Sequence, residues 1–225
     1  MAIKPILMNT EMVRAILNGR KTCTRRVIKH NTEAVLNSSY HMEHQEVEDA
    51  WLIRRLCRAP YEPGDILYVR EAWHRYTKLV GKGEGCHLEE RYGYKASIAN
   101  AEDANESWKP SIHMPKEAAR IWLKVTDVRV ERLQDIDEDG VWNEGFRFRA
   151  PCLTIVSADG HTCVLDGPCT NSIKYCDMTM GELFGRELWN NTIKKSDIDR
   201  YGWDANPWVW VIEFERCEKP EEVQQ

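Results

Sequence analysis

The chain has 225 residues, of which 30% are charged and 42% hydrophobic, with a formal net charge of -5. That length suits one domain with insertions and a core that needs no covalent staples. The acidic balance excludes a protein that coats nucleic acid by bulk positive charge. A mean hydropathy of -0.58 and the lack of any apolar run near the roughly 18 residues of a membrane span exclude a spanning helix. The start, Met1-Ala2-Ile3-Lys4-Pro5, lacks the apolar stretch of a secretion signal. The expected setting is therefore the cytoplasm, where the eight cysteines default to reduced thiols.

Residues 5–28 read as strand, helix, strand. Thr10 is placed to cap the helix, and Glu11 sits in its first turn, where a carboxylate favours the helix dipole. Val13, Ile16 and Leu17 recur at helical spacing, Gly19 supplies the stop, and 22–28 has β-branched character. No acid falls between Glu11 and Glu33, whereas Arg14, Arg20, Lys21, Arg25, Arg26 and Lys29 do. This is a local basic patch on an acidic chain, or a solvated charged face. Residues 31–58 form a polar insertion that turns helical near 47–57. Tyr61-Glu62-Pro63-Gly64-Asp65 is a turn signal that opens a strand over 66–71. Residues 77–107 read as loop apart from a short strand near 91–95. Residues 121–131 alternate apolar and polar and make the clearest half-buried strand.

After that strand, 133–136 leads into a short helix ending near Glu144-Gly145. Residues 146–180 are a second irregular insertion, 181–190 a helix, and 208–214 a closing strand. Asp204 and Asn206 make a turn before Pro207, and Trp208 and Trp210 share a face as structural residues. The expectation is an α+β, mainly β fold: a small β-barrel with flanking helices. It forms a single domain over 1–217, with insertions at about 31–58 and 146–180 and a polar tail at 218–225. Within the second insertion, Cys152, Cys163, Cys169 and Cys176, with His161 among them, are a set that a structural zinc would use. They contain no Cys-x-x-Cys pair, and four unlinked thiols are the other reading.

Four segments, in order, carry a resemblance. They are Gly19-Arg20-Lys21-Thr22-x-Thr24-x-Arg26 after a short helix, and Pro63-Gly64-Asp65-Ile66-Leu67-Tyr68-Val69-Arg70-Glu71-x-Trp73. The strand at 121–130 with the Asp-rich helix and Glu144-Gly145 is the third, and Trp208-Val209-Trp210-Val211-Ile212-Glu213-Phe214 the fourth. Together they resemble the ASCH domain family, whose fold is a PUA-like β-barrel. The longer form, with Trp108-Lys109-Pro110-Ser111-Ile112-His113-Met114-Pro115 and Gly202-Trp203-Asp204-Ala205-Asn206-Pro207-Trp208, is similar to ASCH proteins carried by bacteriophages and prophages. The match covers most of the chain outside the two insertions.

The resemblance implies a cleft for RNA or a modified nucleoside. A small bacterial enzyme of that family removes the acetyl group from N4-acetylcytidine with a Lys, a Thr and a Glu, and needs no cofactor for it. Its Lys and Thr lie in the same Gly-Arg-Lys-Thr-x-Thr motif, which places them here at Lys21 and Thr24. Its Glu, in the helix after the middle strand, falls at Glu144.

Amide hydrolysis needs a nucleophile, a base and a means of stabilising an oxyanion. Thr24 offers a hydroxyl. Lys21 is a base only in its neutral form, which burial and the nearby Arg20, Arg25 and Arg26 favour and a paired Glu144 opposes. Glu144 can instead orient the lysine or shuttle a proton. Cys23 is a nucleophile by chemistry, but the resemblance favours Thr24. In a regular strand Lys21 and Thr24 point to opposite faces, so they converge only if the chain turns just after Gly19.

Around them, Arg20, Arg25, Arg26 and Arg70 are expected to hold phosphate. Glu71 and Trp73 mark the cleft rim, with Trp73 stacking on a base, and Trp108 and His113 flank a Pro-bounded segment that lines the pocket. Each also has a plainer reading as an ion pair, a core aromatic or a packed loop.

The leading expectation is hydrolysis of an acylated or otherwise modified cytidine. The rivals are a non-catalytic module that recognises modified RNA or DNA, and a metal-assisted ribonuclease. Salt separates a nucleoside pocket from a strand-binding groove. A groove with six to ten phosphate contacts loses about 10³–10⁵ in affinity between about 50 and 200 mM salt. The acidic balance predicts the shallow dependence of a pocket, which a salt titration of oligonucleotide and nucleoside binding by fluorescence checks.

Overall fold

The computed structural model describes residues 1–82, 86–98, 107–147 and 178–221, together with the backbone of 153–155 and 162–164. Among these residues the strands are β1 (Ile3–Leu7), β2 (Cys23–Val27), β3 (Ile66–Arg70), β4 (Trp73–Val80), β5 (His87–Tyr94), β6 (Trp122–Arg132), β7 (Leu153–Ile155), β8 (Thr162–Val164) and β9 (Trp208–Cys217). The helices that frame them are α1 (Thr10–Leu17), α2 (Thr32–Leu36), α3 (Ser39–Glu43), α4 (Asp49–Leu56), α5 (Glu138–Asn143) and α6 (Met180–Leu183), with shorter turns elsewhere. No helix among the described residues is long and apolar enough to cross a membrane.

The main sheet has the order β1-β3-β6-β9-β2. β1 pairs in parallel with β3, Ile3 opposite Ile66 and Leu7 opposite Arg70, whereas β3 and β6 are antiparallel, Leu67 opposite Leu123. The bonds from Phe214 N–H to Thr22 C=O at 2.8 Å and from Ile28 N–H to Trp208 C=O at 3.0 Å run in opposite senses along β2 and β9, so that pair is antiparallel too. The result is a strand-rich α+β chain with a mixed sheet.

The expected barrel is not what the described strands form. β1 and β2 end the order, and no pairing joins them. Pro5 gives one physical reason: it removes a main-chain donor from β1, which confines that strand to an edge.

The chain divides into two compact units. One comprises Met1–Arg25, Arg58–Arg129 and Val211–Gln225, the other Arg26–Cys57 and Val130–Trp210. Both insertions expected from the sequence fall in the second unit, apart from Arg58. In the first, Ile66, Trp73, Met114, Ala118, Ala119 and Trp122 form a buried cluster with Tyr68, Tyr92 and Tyr94 packed against it. In the second, Leu52 and Ile53 of α4, Leu133, Val141, Phe184, Trp189 and Trp203 are buried. Each large apolar side chain so buried contributes about 1.5–3 kcal/mol.

Local departures from the sequence reading have local causes. The cap of α1 is Asn9, whose side chain accepts from Met12 N–H at 2.8 Å, one residue before the Thr10 expected there. The stretch read mostly as loop holds the hairpin of β4 and β5, with His74 opposite Gly93 and Leu79 opposite Leu88. Its outer half is exposed on both faces and rich in Lys, Arg, Glu and His, so no apolar–polar alternation marks it. Its root is anchored instead by buried Trp73, which exchanges main-chain bonds with Lys109 at 2.8 and 3.2 Å.

In the first insertion, the Asn31 and Ser38 side chains cap α2 and α3 by accepting from Ala34 and His41 N–H. Thr179 and Glu182 form a capping box for α6, and the helix then widens into a π segment, Phe184–Trp189. There a Cβ on Gly185 would lie 2.1 Å from the Trp203 ring, so only glycine lets the ring in. In β6 the buried positions Leu123 and Val125 give way to Val128 and Val130, a slip of phase that one extra residue in a strand produces. The expected turn before Pro207 is made by Asn206 in the left-handed region at φ 44°, and its side chain accepts from Gln134 N–H.

Asp65 ties β1 to the turn before β3. It is 5% exposed, pairs with Lys4 at 2.7 Å and accepts from the Ala2 and Glu62 N–H groups. Burial by itself raises its carboxyl pKa, but the bonds from Lys4, Ala2 and Glu62 outweigh that and hold the group below its ordinary range. Such a group stabilises the fold above the unfolded carboxylate pKa of about 3.9 and loses its contribution as pH falls through the lower folded value. Asp65→Ala is expected to cost about 1.5–3 kcal/mol at pH 7, as for hydrogen bonds to a charged group. The gap to the wild type should close as pH drops below about 3.9, which urea melts across pH 2–7 measure.

Candidate functional site

The site is built from the end of α1. This helix buries Val13, Ala15 and Ile16 on one face. It closes at Asn18, and Gly19 follows with φ +69°. Gly19 N–H donates to Ile16 C=O at 3.0 Å and Arg20 N–H to Ala15 C=O at 2.8 Å, the two bonds of a Schellman turn. Lys21 N–H reaches the same Ala15 carbonyl at 3.2 Å. Thr22 then enters the sheet by accepting from Phe214 N–H, and β2 begins at Cys23.

Lys21 sits in a β-bridge between the Gly19 turn and β2, and Thr24 is the second residue of that strand. Lys21 is 2% exposed, Thr24 1% and Arg25 4%. Three polar side chains within five residues are therefore taken out of water, which is costly unless they are partnered or used. On β2, Arg25 and Cys23 share a face, with Nη1 of the arginine 3.7 Å from the cysteine sulfur. The Thr24 hydroxyl finds no hydrogen-bond partner among the described residues. Arg20 and Arg26 are half-buried.

The rim residues divide. Arg70, at the end of β3, is half-buried and donates through Nη2 to the Ile112 carbonyl. Glu71 is 1% exposed, and both its oxygens are taken by Arg120, at 2.8 and 2.9 Å. Its carboxylate is engaged inside the fold by that arginine. Arg120 also donates to the Ser97 hydroxyl at 2.6 Å and lies 4.0 Å from the Tyr94 ring centre. Burial pushes the Tyr94 phenol pKa up in spite of that arginine.

Trp73 is buried, tilted against Tyr92, with Lys109 over its ring, so it is a core aromatic here and not an exposed stacking platform. Trp108 packs on His74 at 4.8 Å, and His113 is exposed. The Glu71 partner, Arg120, was not legible beforehand, because nothing in sequence spacing links residues 49 apart.

Glu144 lies in the second unit. It closes α5, donating its N–H to Gly140 C=O at 3.0 Å, and Gly145 follows at φ +79°. Its side chain is buried, with the residue 4% exposed. The same unit holds an open polar depression of about 580 Å³, lined in part by His41, Gln45, Glu46, Glu48 and Asp49. There His41 Nε2 is 3.0 Å from Asp49. It carries no hydroxyl or thiol nucleophile, so the depression is set aside in favour of the chemistry at Lys21 and Thr24.

Of the cysteines considered for zinc, Cys163 lies in β8, and Cys152, Cys169 and Cys176 fall outside the described residues. Among the described residues no group of three or more His, Cys, Asp and Glu is arranged to hold a metal.

A Cβ at position 19 would meet nothing within 4 Å, so a substitution there strains only the backbone. Gly19→Ala is expected to cost about 1–2 kcal/mol, the penalty for an L-residue in the left-handed region. Gly19→Asn should cost less, and the order of the two in urea melts checks that backbone conformation is what the position requires. No protein-family model matches the chain, and no curated protein or solved structure matches it either.

Proposed function

We propose that this chain is an ASCH-type, PUA-like protein that hydrolyses the amide of an acylated cytidine, free or in RNA. Thr24 is its nucleophile and Lys21 its base. The observation that carries the reading is the buried Thr24 hydroxyl without a partner, three residues from an equally buried lysine. A buried hydroxyl left unpaired costs about 1–3 kcal/mol, a cost that a substrate carbonyl or water removes on binding. The ordered motifs from Gly19 to Phe214 and the strand-rich α+β fold support the family reading.

In this mechanism the Thr24 oxygen adds to the acyl carbonyl while its proton passes to the Lys21 amine. The carbon–nitrogen bond breaks as that proton moves to the exocyclic nitrogen, and cytidine leaves. Water then hydrolyses the threonyl ester, releasing the acid and restoring the hydroxyl. The resemblance alone assigns the third role, orienting the lysine or shuttling a proton, to Glu144.

Incubation of the purified protein with N4-acetylcytidine, followed by chromatography, is expected to release cytidine and acetate. Lys21→Ala and Thr24→Ala should each lower kcat by about 10²–10⁴, the usual worth of a positioned proton-transfer group, while circular dichroism remains that of the wild type. Glu144→Gln tests the assigned third role by the same assay. A wild type that stays inert at high enzyme concentration sinks the hydrolase, and binding of modified RNA and DNA then becomes the leading activity.

A further inference from the structure

Arg14 belongs by sequence to the basic stretch that would meet phosphate, yet its guanidinium is engaged within the protein. Nε donates to Ala96 C=O at 3.2 Å and Nη2 to Ile98 C=O at 2.8 Å, while Nη1 meets exposed Glu11 at 2.8 Å. The first two bonds cross 82 and 84 residues of sequence and fasten α1 to the turn Lys95–Ser97. The same turn is held on its Ser97 hydroxyl by Arg120, which is locked on Glu71. Two arginine forks thus fix one turn, and one of them originates next to Ala15, whose carbonyl accepts from both Arg20 and Lys21 N–H. An eight-residue helix is marginal by itself, so its position depends on such tertiary ties.

We infer that Arg14 is a positioning residue for Lys21. Its fork on the Ala96 and Ile98 carbonyls sets where α1 ends and hence where the Ala15 carbonyl holds the lysine backbone. The catalytic consequence rests on the hydrolase reading, whereas the structural coupling does not. Lysine keeps the charge of arginine but cannot present two N–H groups in a fixed fork. A phosphate-binding role would therefore tolerate Arg14→Lys, and a positioning role would not.

The test compares wild type, Arg14→Lys, Arg14→Ala and the control Glu11→Gln on two readouts. The first is the Lys21 amide resonance and the side-chain methylene shifts of Lys21 by NMR. The second is kcat, KM and the pH–rate profile on N4-acetylcytidine. Arg14→Lys is expected to move the Lys21 resonances and to lower kcat by about 10–100-fold, the scale of a small misplacement of a reacting group. KM should stay within about twofold, the pH profile should shift, and Glu11→Gln should match the wild type.

Millimolar methylguanidinium should restore part of both readouts in Arg14→Ala, which separates loss of the fork from loss of folding. Unchanged Lys21 resonances in Arg14→Lys, or a loss in Arg14→Ala that methylguanidinium does not touch, would overturn the proposal. If the wild type hydrolyses nothing, the hydrolase reading fails while the NMR comparison still decides the coupling.

Discussion

The carbonyl oxygen of Ala15 accepts from two amides at once, those of Arg20 and Lys21, and much of the first unit is arranged around that point. A short helix ends there, because Gly19 turns into the left-handed region and carries the following N–H donors off the helical path. The chain leaves the turn already aimed at β9, with Thr22 bonded to Phe214. Upstream, burial of Val13 and Ile16 holds the helix down. The outcome is a lysine directly after the turn that is only 2% exposed.

Among the described residues the buried polar side chains are Lys21, Thr24, Arg25, Asp65, Glu71 and Glu144. Asp65 and Glu71 have their charge answered by named partners, Lys4 and Arg120, with main-chain donors completing the Asp65 shell. Their pairing explains their burial fully, as ties between strands and turns. Lys21, Thr24 and Arg25 fall within five residues at the turn after α1 and the start of β2. Taking three polar side chains out of water in so short a segment is costly unless each is partnered or used, and the Thr24 hydroxyl has no hydrogen-bond partner among the described residues.

What the sequence discloses depends on whether a segment's own pattern decides its structure. The strands β3, β6 and β9 were legible because each carries an apolar run or alternation strong enough to select a sheet face. The phase slip between Val125 and Val128 was not anticipated, because 121–131 was read as one unbroken alternation. The helix α1 was legible through Val13, Ile16 and Gly19, although its cap was one residue early. The β4–β5 hairpin was not, since its exposed outer strands are held by cross-strand pairing and an anchored root.

Within the candidate site, a turn just after Gly19 was stated as the condition for Lys21 and Thr24 to converge, and the chain does turn there. The commitments of Glu71 to Arg120 and of Arg14 to Ala96 and Ile98 were invisible, because they link residues far apart in sequence through side chains that read as surface charge. The sheet order was likewise hidden. Nothing local in β1 announces that it runs parallel to β3 at the edge opposite β2.

That order has a consequence for the timing of synthesis. β2 meets the sheet only through β9, and roughly 180 residues separate the two. At about 5–20 residues per second, the ribosome takes on the order of 10–40 s to supply the missing strand. Throughout that interval Cys23, Thr24 and Arg25 have no sheet to enter, and the basic motif is displayed on a nascent chain. Lys21, Thr24 and Arg25, none more than 4% exposed in the fold, are thus made early and enclosed late.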